Sequence, residues 1–273
     1  MEKQEEVTTF YSLGLEELAM ALGVINCGDL GHSLLTTVYD KLTEEKIEER
    51  LTSASHSLMA RGLVGITNNS TPVLEKTFEQ ALFPLAHFDH LIHLSLVQKK
   101  EQLTSTIHIR KNISFSSHSV DAGVIHLLEY GNYSDLPSFL GNLFMDSQKN
   151  NDGIKLDVDN SITPLILSRA TKETKQKNIE EIFLSNNWNQ KQAKNLAEDI
   201  SKQIMRGTIV YGKVSGDAQL ENLEDIPRQM LWILKGKKRN WVFQFPSTDD
   251  NALGSVLQID KNSFTEIISN FLA

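Results

Sequence analysis

Imidazole is the side chain whose spacing in this sequence comes nearest to a site. All eight histidines lie between His32 and His126, and His87, His90 and His93 recur at every third position. On a helix that spacing spreads the rings over a wide face, so at most one adjacent pair could share a metal. On a strand, His90 and His93 point to opposite faces and cannot share one. Zinc also requires three or four convergent ligands, and the single cysteine, Cys27, is remote in sequence from this run. The expectation is therefore edge-strand and surface histidines rather than a metal centre. Cys27 precedes Gly28 and Asp29. A nucleophilic thiolate needs a base or positive surroundings, and Asp29 intervenes before the nearest histidine, His32. A buried or semi-buried free thiol is expected there.

The other chemistry-bearing clusters fail their spacing tests. Lys235-Gly236-Lys237-Lys238 lacks the upstream glycine and following hydroxyl of a phosphate-binding loop. No G-x-G-x-x-G, G-x-S-x-G or H-E-x-x-H occurs. The run from Asp152 to Asp159 places glycine second and Thr163 at the twelfth position, where a calcium loop needs glutamate. It reads as a solvated linker, and Lys235, Lys237, Lys238 and Arg239 read as a solvated hairpin tip that protects a sheet edge. The chain is expected not to be an enzyme and to use no cofactor, metal or small-molecule substrate.

What must position these residues is a chain of 273 residues, long enough to bury a core without disulfides. One cysteine excludes a disulfide framework and any zinc site with two thiolates. A net charge of −8 disfavours a general phosphate-binding surface, so nucleic acid is not an expected partner. The polar start MEKQEEVTTF has no basic region leading into an apolar one, and no apolar run reaches membrane-spanning length. A cytoplasmic chain without membrane insertion is expected.

The periodicity predicts four helices first. They are capped by Ser12, preceded by Asp29, capped by Thr43, and started at Thr71-Pro72. After Asp89 the period changes to two, giving strands over 103–110, 113–118 and 124–130 and then a helix from Ser134 to about Met145. The polar stretch 147–159 divides the chain into 1–147 and 148–273. The second part carries a helical hairpin over 173–206, stopped by Gly207, then strands near 208–214, 228–234, 240–245 and 256–260 and a closing helix. SDLPSFLGNLF from Ser134 and NSFTEIISNFL from Asn262 end the two parts alike. The fold class is α+β: two related halves, each an antiparallel meander with helices, the second with a hairpin insertion.

Two segments point to binding. Thr43–Val64 has the "RGLV"-like ending of a winged-helix recognition segment, which makes a winged-helix-containing transcription regulator the alternative reading. However, no turn residue splits Leu51 to Gly62, and Glu44, Glu45, Glu48 and Glu49 would repel phosphate. The second segment is the helical hairpin, whose Ile179, Ile182, Phe183 and Leu184 cover more than one helix face ahead of Trp188. Such a stripe suits either a partner groove or internal burial.

The order of parts resembles the EspG-type chaperones of type VII (ESX) secretion. The resemblance runs through Arg61-Gly62-Leu63-Val64 and its polar turn, Leu74 to Leu85, the strand from Asp89, and Arg206-Gly207 with Thr208 to Val214. It continues through the hairpin QMLWILKGKKRNWVFQFP and the final NSFTEIISNFL. It implies two related halves with antiparallel sheets, no catalysis and no cofactor. It also implies a helical secreted protein of a type VII system as partner, bound by its apolar tip in the cytosol and kept soluble. On that analogy Ile179, Phe183, Trp188 and Ile200, with the hairpin loops, would form the partner-binding surface. The sequence departs from the family in lacking its proline-rich turns and in its Asn/Lys-rich linkers.

Overall fold

Alternation of apolar and polar side chains dominates the middle of the chain, and short turns convert it into antiparallel sheet. The structure is a computed structural model that describes residues 8–39, 43–99, 101–145, 156–214 and 228–273. In chain order the first elements are β1 (Thr9–Gly14), α1 (Leu15–Val24), α2 (Gly28–Val38), α3 (Glu44–Ala60), β2 (Val64–Ile66), β3 (Pro72–Leu74) and α4 (Lys76–Ala86). Next come β4 (His90–Gln98), β5 (Glu101–Arg110), β6 (Ser114–Asp121), β7 (Ile125–Asn132) and α5 (Leu136–Phe144). Then come β8 (Leu156–Ile162), α6 (Pro164–Lys172), α7 (Gln176–Leu184), α8 (Gln190–Ser201), β9 (Met205–Lys213), β10 (Arg228–Lys235), β11 (Asn240–Phe245), β12 (Gly254–Ile259) and α9 (Lys261–Leu272). The α+β class is as the sequence implies.

The chain divides into two compact units, but not at one point in the sequence. The first holds residues up to His90 with Ser105–Asp135, and the second holds Leu91–Thr104 with Leu136–Ala273. The boundary expected at 147/148 lies outside the described residues. Part of the polar stretch expected to be a linker is strand: Leu156–Ile162 forms β8 and pairs antiparallel with β12.

In the first unit the strand order is β1-β7-β6-β5. Tyr11 and His118 stand opposite Leu128 in the register of β7, and Thr106 stands opposite His118. Residues Thr9–Gly14, expected to lead into a helix from Ser12, extend the sheet instead. Their inward-facing Tyr11 and Leu13 join Phe78, Leu82 and Leu128 in the core. α3 starts as expected, with the Thr43 hydroxyl accepting from the Lys46 amide. α4 starts later than Thr71-Pro72, because Pro72–Leu74 pairs with Val64–Ile66. Glu75 caps it, accepting from the amides of Thr77 and Phe78.

The second unit has the order β4-β9-β10-β11-β12-β8. Gly207, expected to stop a helix, lies within β9. A Cβ there would stand 2.3 Å from Phe144 Cε1 and 2.8 Å from the Ser95 carbonyl oxygen. Close approach, not helix capping, thus selects glycine at this position. The Gly207→Ala variant is expected to lose about 1–3 kcal/mol of stability by overpacking, read as a lower urea midpoint at unchanged m-value.

Candidate partner-binding surfaces

The four residues expected to meet a partner are inside the protein. Ile179 and Phe183 are 0% exposed, and Trp188 and Ile200 are 3% exposed. They join Ile182, Leu196, Trp241 and Phe243 in the core of the second unit, and the Phe183 and Trp188 rings lie 5.0 Å apart. The expectation that these side chains form an open surface is therefore corrected. α7 packs against both α8 and α6. A helix with two helical neighbours needs a stripe wider than one face, and α6 is an element the sequence reading did not anticipate. The buried Trp188 Nε1 finds no acceptor among the described residues. Because Trp188→Phe removes that unsatisfied donor while keeping an aromatic ring, a change of less than about 1.5 kcal/mol is expected in thermal or urea unfolding.

The basic tip after β10 is clasped rather than wholly solvated. Asp199, on α8, is 0% exposed. Its carboxylate accepts from Arg239 Nη1 at 2.9 Å, Trp241 Nε1 at 3.1 Å and the Lys238 amide at 3.3 Å. Arg239 also donates to Asn195 Oδ1 at 3.0 Å, and Lys238 pairs with Glu198 at 2.8 Å. A Cβ on Gly236 would stand 2.4 Å from Asp199 Cβ. These contacts seat α8 on the turn between β10 and β11.

In the first unit, Cys27 Sγ lies 3.6 Å from His87 Nε2, a histidine sixty residues away rather than His32. Burial pushes the thiol pKa up, so the geometry holds a protonated thiol. His90 is buried while His93, three residues on, is exposed on the opposite side of β4. Among the described residues no group of three or more His, Cys, Asp or Glu is placed to hold a metal ion.

The histidines that do meet are His108, His118 and His126, on β5, β6 and β7. His118 Nε2 and His126 Nδ1 share a hydrogen bond of 2.8 Å, and their rings stack at 5.1 Å. The His108 ring lies 6.5 Å from that of His118, and Phe88 meets its edge at 5.0 Å. Burial pushes the pKa of His108 down to about 3 and that of His118 to about 4, each helped by the neighbouring imidazole. Burial lowers His126 as well. The row is neutral at ordinary pH and acts as polar filling of the sheet. The sequence reading missed it because its members come together only through strand register; period-two positions on three successive strands were the available signal.

An open apolar groove remains between α1, α2 and α3. Its inner part, about 400 Å³, is lined by Ala19, Gly31, Leu35, Ile47, Leu51 and Pro72 among others. Its outer part, about 480 Å³, shares Met20, His32, Ile47 and Leu51 with it and reaches Glu44, Glu48 and Thr52. A Cβ on Gly31 would meet the Ala19 carbonyl oxygen at 2.7 Å, so α2 crosses α1 almost backbone to backbone. The α3 wall is fixed to α1 by Arg50–Glu16 at 2.6 Å and Arg61–Glu17 at 2.8 Å. α3 is one uninterrupted helix of 17 residues, unlike a helix-turn-helix.

No protein-family model matches the chain, and no curated protein matches it in sequence. Among solved structures it is similar to the Mycobacterium tuberculosis type VII secretion system chaperone EspG5, determined in complex with a PE25–PPE41 dimer. The superposition covers 94% of each chain with a TM-score of 0.57 at 11% identity. At that identity the likeness is one of fold, and that structural neighbour is a chaperone rather than an enzyme. Among the described residues no helix is long and apolar enough to cross a membrane.

Proposed function

We propose that this chain is a non-catalytic, cytoplasmic binding protein that covers an apolar helical segment of a type VII secretion substrate and holds it soluble. The observation that carries this reading is the fold likeness to a type VII secretion chaperone over 94% of both chains. The open apolar groove between α1, α2 and α3 agrees with it, because a surface of this kind is what a helical partner needs. Covering apolar area yields roughly 25 cal/mol per Å², from which the costs of association are subtracted. A chaperone of this kind therefore acts through area and shape, with no reacting group. The transcription-regulator alternative draws no support from the fold likeness, and the acidic α3 opposes it.

The test is co-expression with helical-hairpin type VII substrates from the protein's own source. The fraction of substrate remaining soluble is expected to rise severalfold with the chain present. Equal solubility with and without it, across all such substrates, would overturn the reading.

A further inference from the structure

We propose that the groove between α1, α2 and α3 is a docking site for an amphipathic helix bearing an apolar stripe and a flanking row of Lys or Arg. The proposal rests on the reading that the chain binds helical polypeptides, and it adds where the helix sits and what its flank carries.

Three observations lead to this occupant. The floor and inner walls offer mainly apolar side chains and close-packed backbone: Met20, Leu35, Ile47 and Leu51, with Gly31 against Ala19 and the exposed His32 at the side. Pro72, at the inner end, has no amide hydrogen to donate. An extended peptide laid there would leave its own backbone groups unpaired against apolar walls, whereas a helix satisfies them internally. The space agrees, since each part of the groove is as large as a small-ligand cavity, roughly 300–1,000 Å³, and so has room for several side chains of an apolar stripe.

The third observation is charge. The outer wall is α3, whose Glu44 and Glu48 line the opening and form no ion pair among the described residues. Arg50 of the same helix and Arg61, just after its end, are engaged elsewhere, with Glu16 and Glu17. Among the described residues the rim therefore presents carboxylates without an ion-pair partner beside an apolar floor. A helix whose apolar stripe enters the groove meets them with basic residues one face round. A helix with acidic flanks is repelled at the same place.

The test uses the full chain and two fluorescent synthetic peptides of about 18 residues, five turns of helix. They share one Leu stripe and differ only in carrying Lys or Glu on the flank. Fluorescence anisotropy is expected to show the Lys peptide binding at least about tenfold more tightly. The doubly reversed variant, Glu44→Lys with Glu48→Lys, should invert that preference. Leu51→Asp should abolish binding of both peptides, and Thr52→Arg, an exposed rim change that does not disturb the core, should weaken the Lys peptide alone. An unchanged preference after charge reversal, or normal binding by folded Leu51→Asp and Thr52→Arg variants, would overturn the assignment. The two readings fail separately. If Leu51→Asp still keeps a secretion substrate soluble, the groove assignment falls and the chaperone reading stands. If the peptides bind as expected but no substrate is held, the groove stands and the chaperone reading falls.

Discussion

The Asp199→Ala variant is expected to lose about 3–5 kcal/mol of unfolding free energy, because it strands a partly buried guanidinium and a buried indole N–H. Asp199 is fully buried and is the shared acceptor for Arg239, Trp241 and the Lys238 amide. Removing it leaves the Arg239 charge with Asn195 as its one side-chain partner among the described residues, and Arg239, 20% exposed, cannot regain full hydration. A urea titration of the purified chain reads the loss directly. The double variant Asp199→Leu with Arg239→Met should recover most of it, because replacing both members of a buried pair by apolar groups is often neutral. A single variant as stable as the parent would show that α8 is not seated on the β10–β11 turn through this carboxylate.

Acid is expected to destabilise the first unit as the pH falls below 6.5. His108 and His118 are held neutral in the fold, with pKa values near 3 and 4 against an ordinary value of 6.5. Once unfolded, the same imidazoles take up protons as the pH falls through 6.5. Their contribution to stability is therefore complete above that value and is lost progressively as the pH falls toward 4. Each imidazole held neutral costs roughly 1.4 kcal/mol per pH unit over this window. Between pH 6.5 and 5 the two together account for a loss on the order of 3 kcal/mol. Denaturant midpoints measured across this interval should show the slope. A His108→Gln variant, which has no proton to gain there, should flatten the slope, leaving the part due to His118 and His126. An unchanged slope in that variant would place the titrating groups elsewhere.

How far the sequence reveals this molecule depends on the range of the interaction concerned. β5, β6 and β7 were legible because alternation is local, and α3 because Thr43 and the glutamates after it form a local start signal. The β1 strand was not legible, since Ser12 followed by a leucine-rich stripe satisfies the helix pattern equally well. Its pairing with β7, more than a hundred residues away, decides the outcome. Gly207 reads as a helix stop until Phe144 and the Ser95 carbonyl are seen to crowd it. The stripe through Ile179 and Phe183 was visible, but its meaning was not. Width alone does not distinguish a missing partner from a second helix of the same chain, and α6 supplies that helix. Asp199 looks like one more acid on the polar side of α8, and only the turn folding back from β10 gives it three donors. The groove escaped notice for a related reason: Met20, Ile47 and Leu51 each read as core positions of separate helices, and only the assembled helices leave them half exposed.

The central claim is that the chain holds a helical secretion substrate as a discrete complex. Its most direct test is the solution mass, by light scattering coupled to size-exclusion chromatography, of the chain mixed with a purified type VII substrate from its own source. A single peak with the summed mass of one chain and one substrate unit, in place of the substrate's aggregate, is the predicted result. Separate elution of the two, with the substrate still aggregated, would contradict the account.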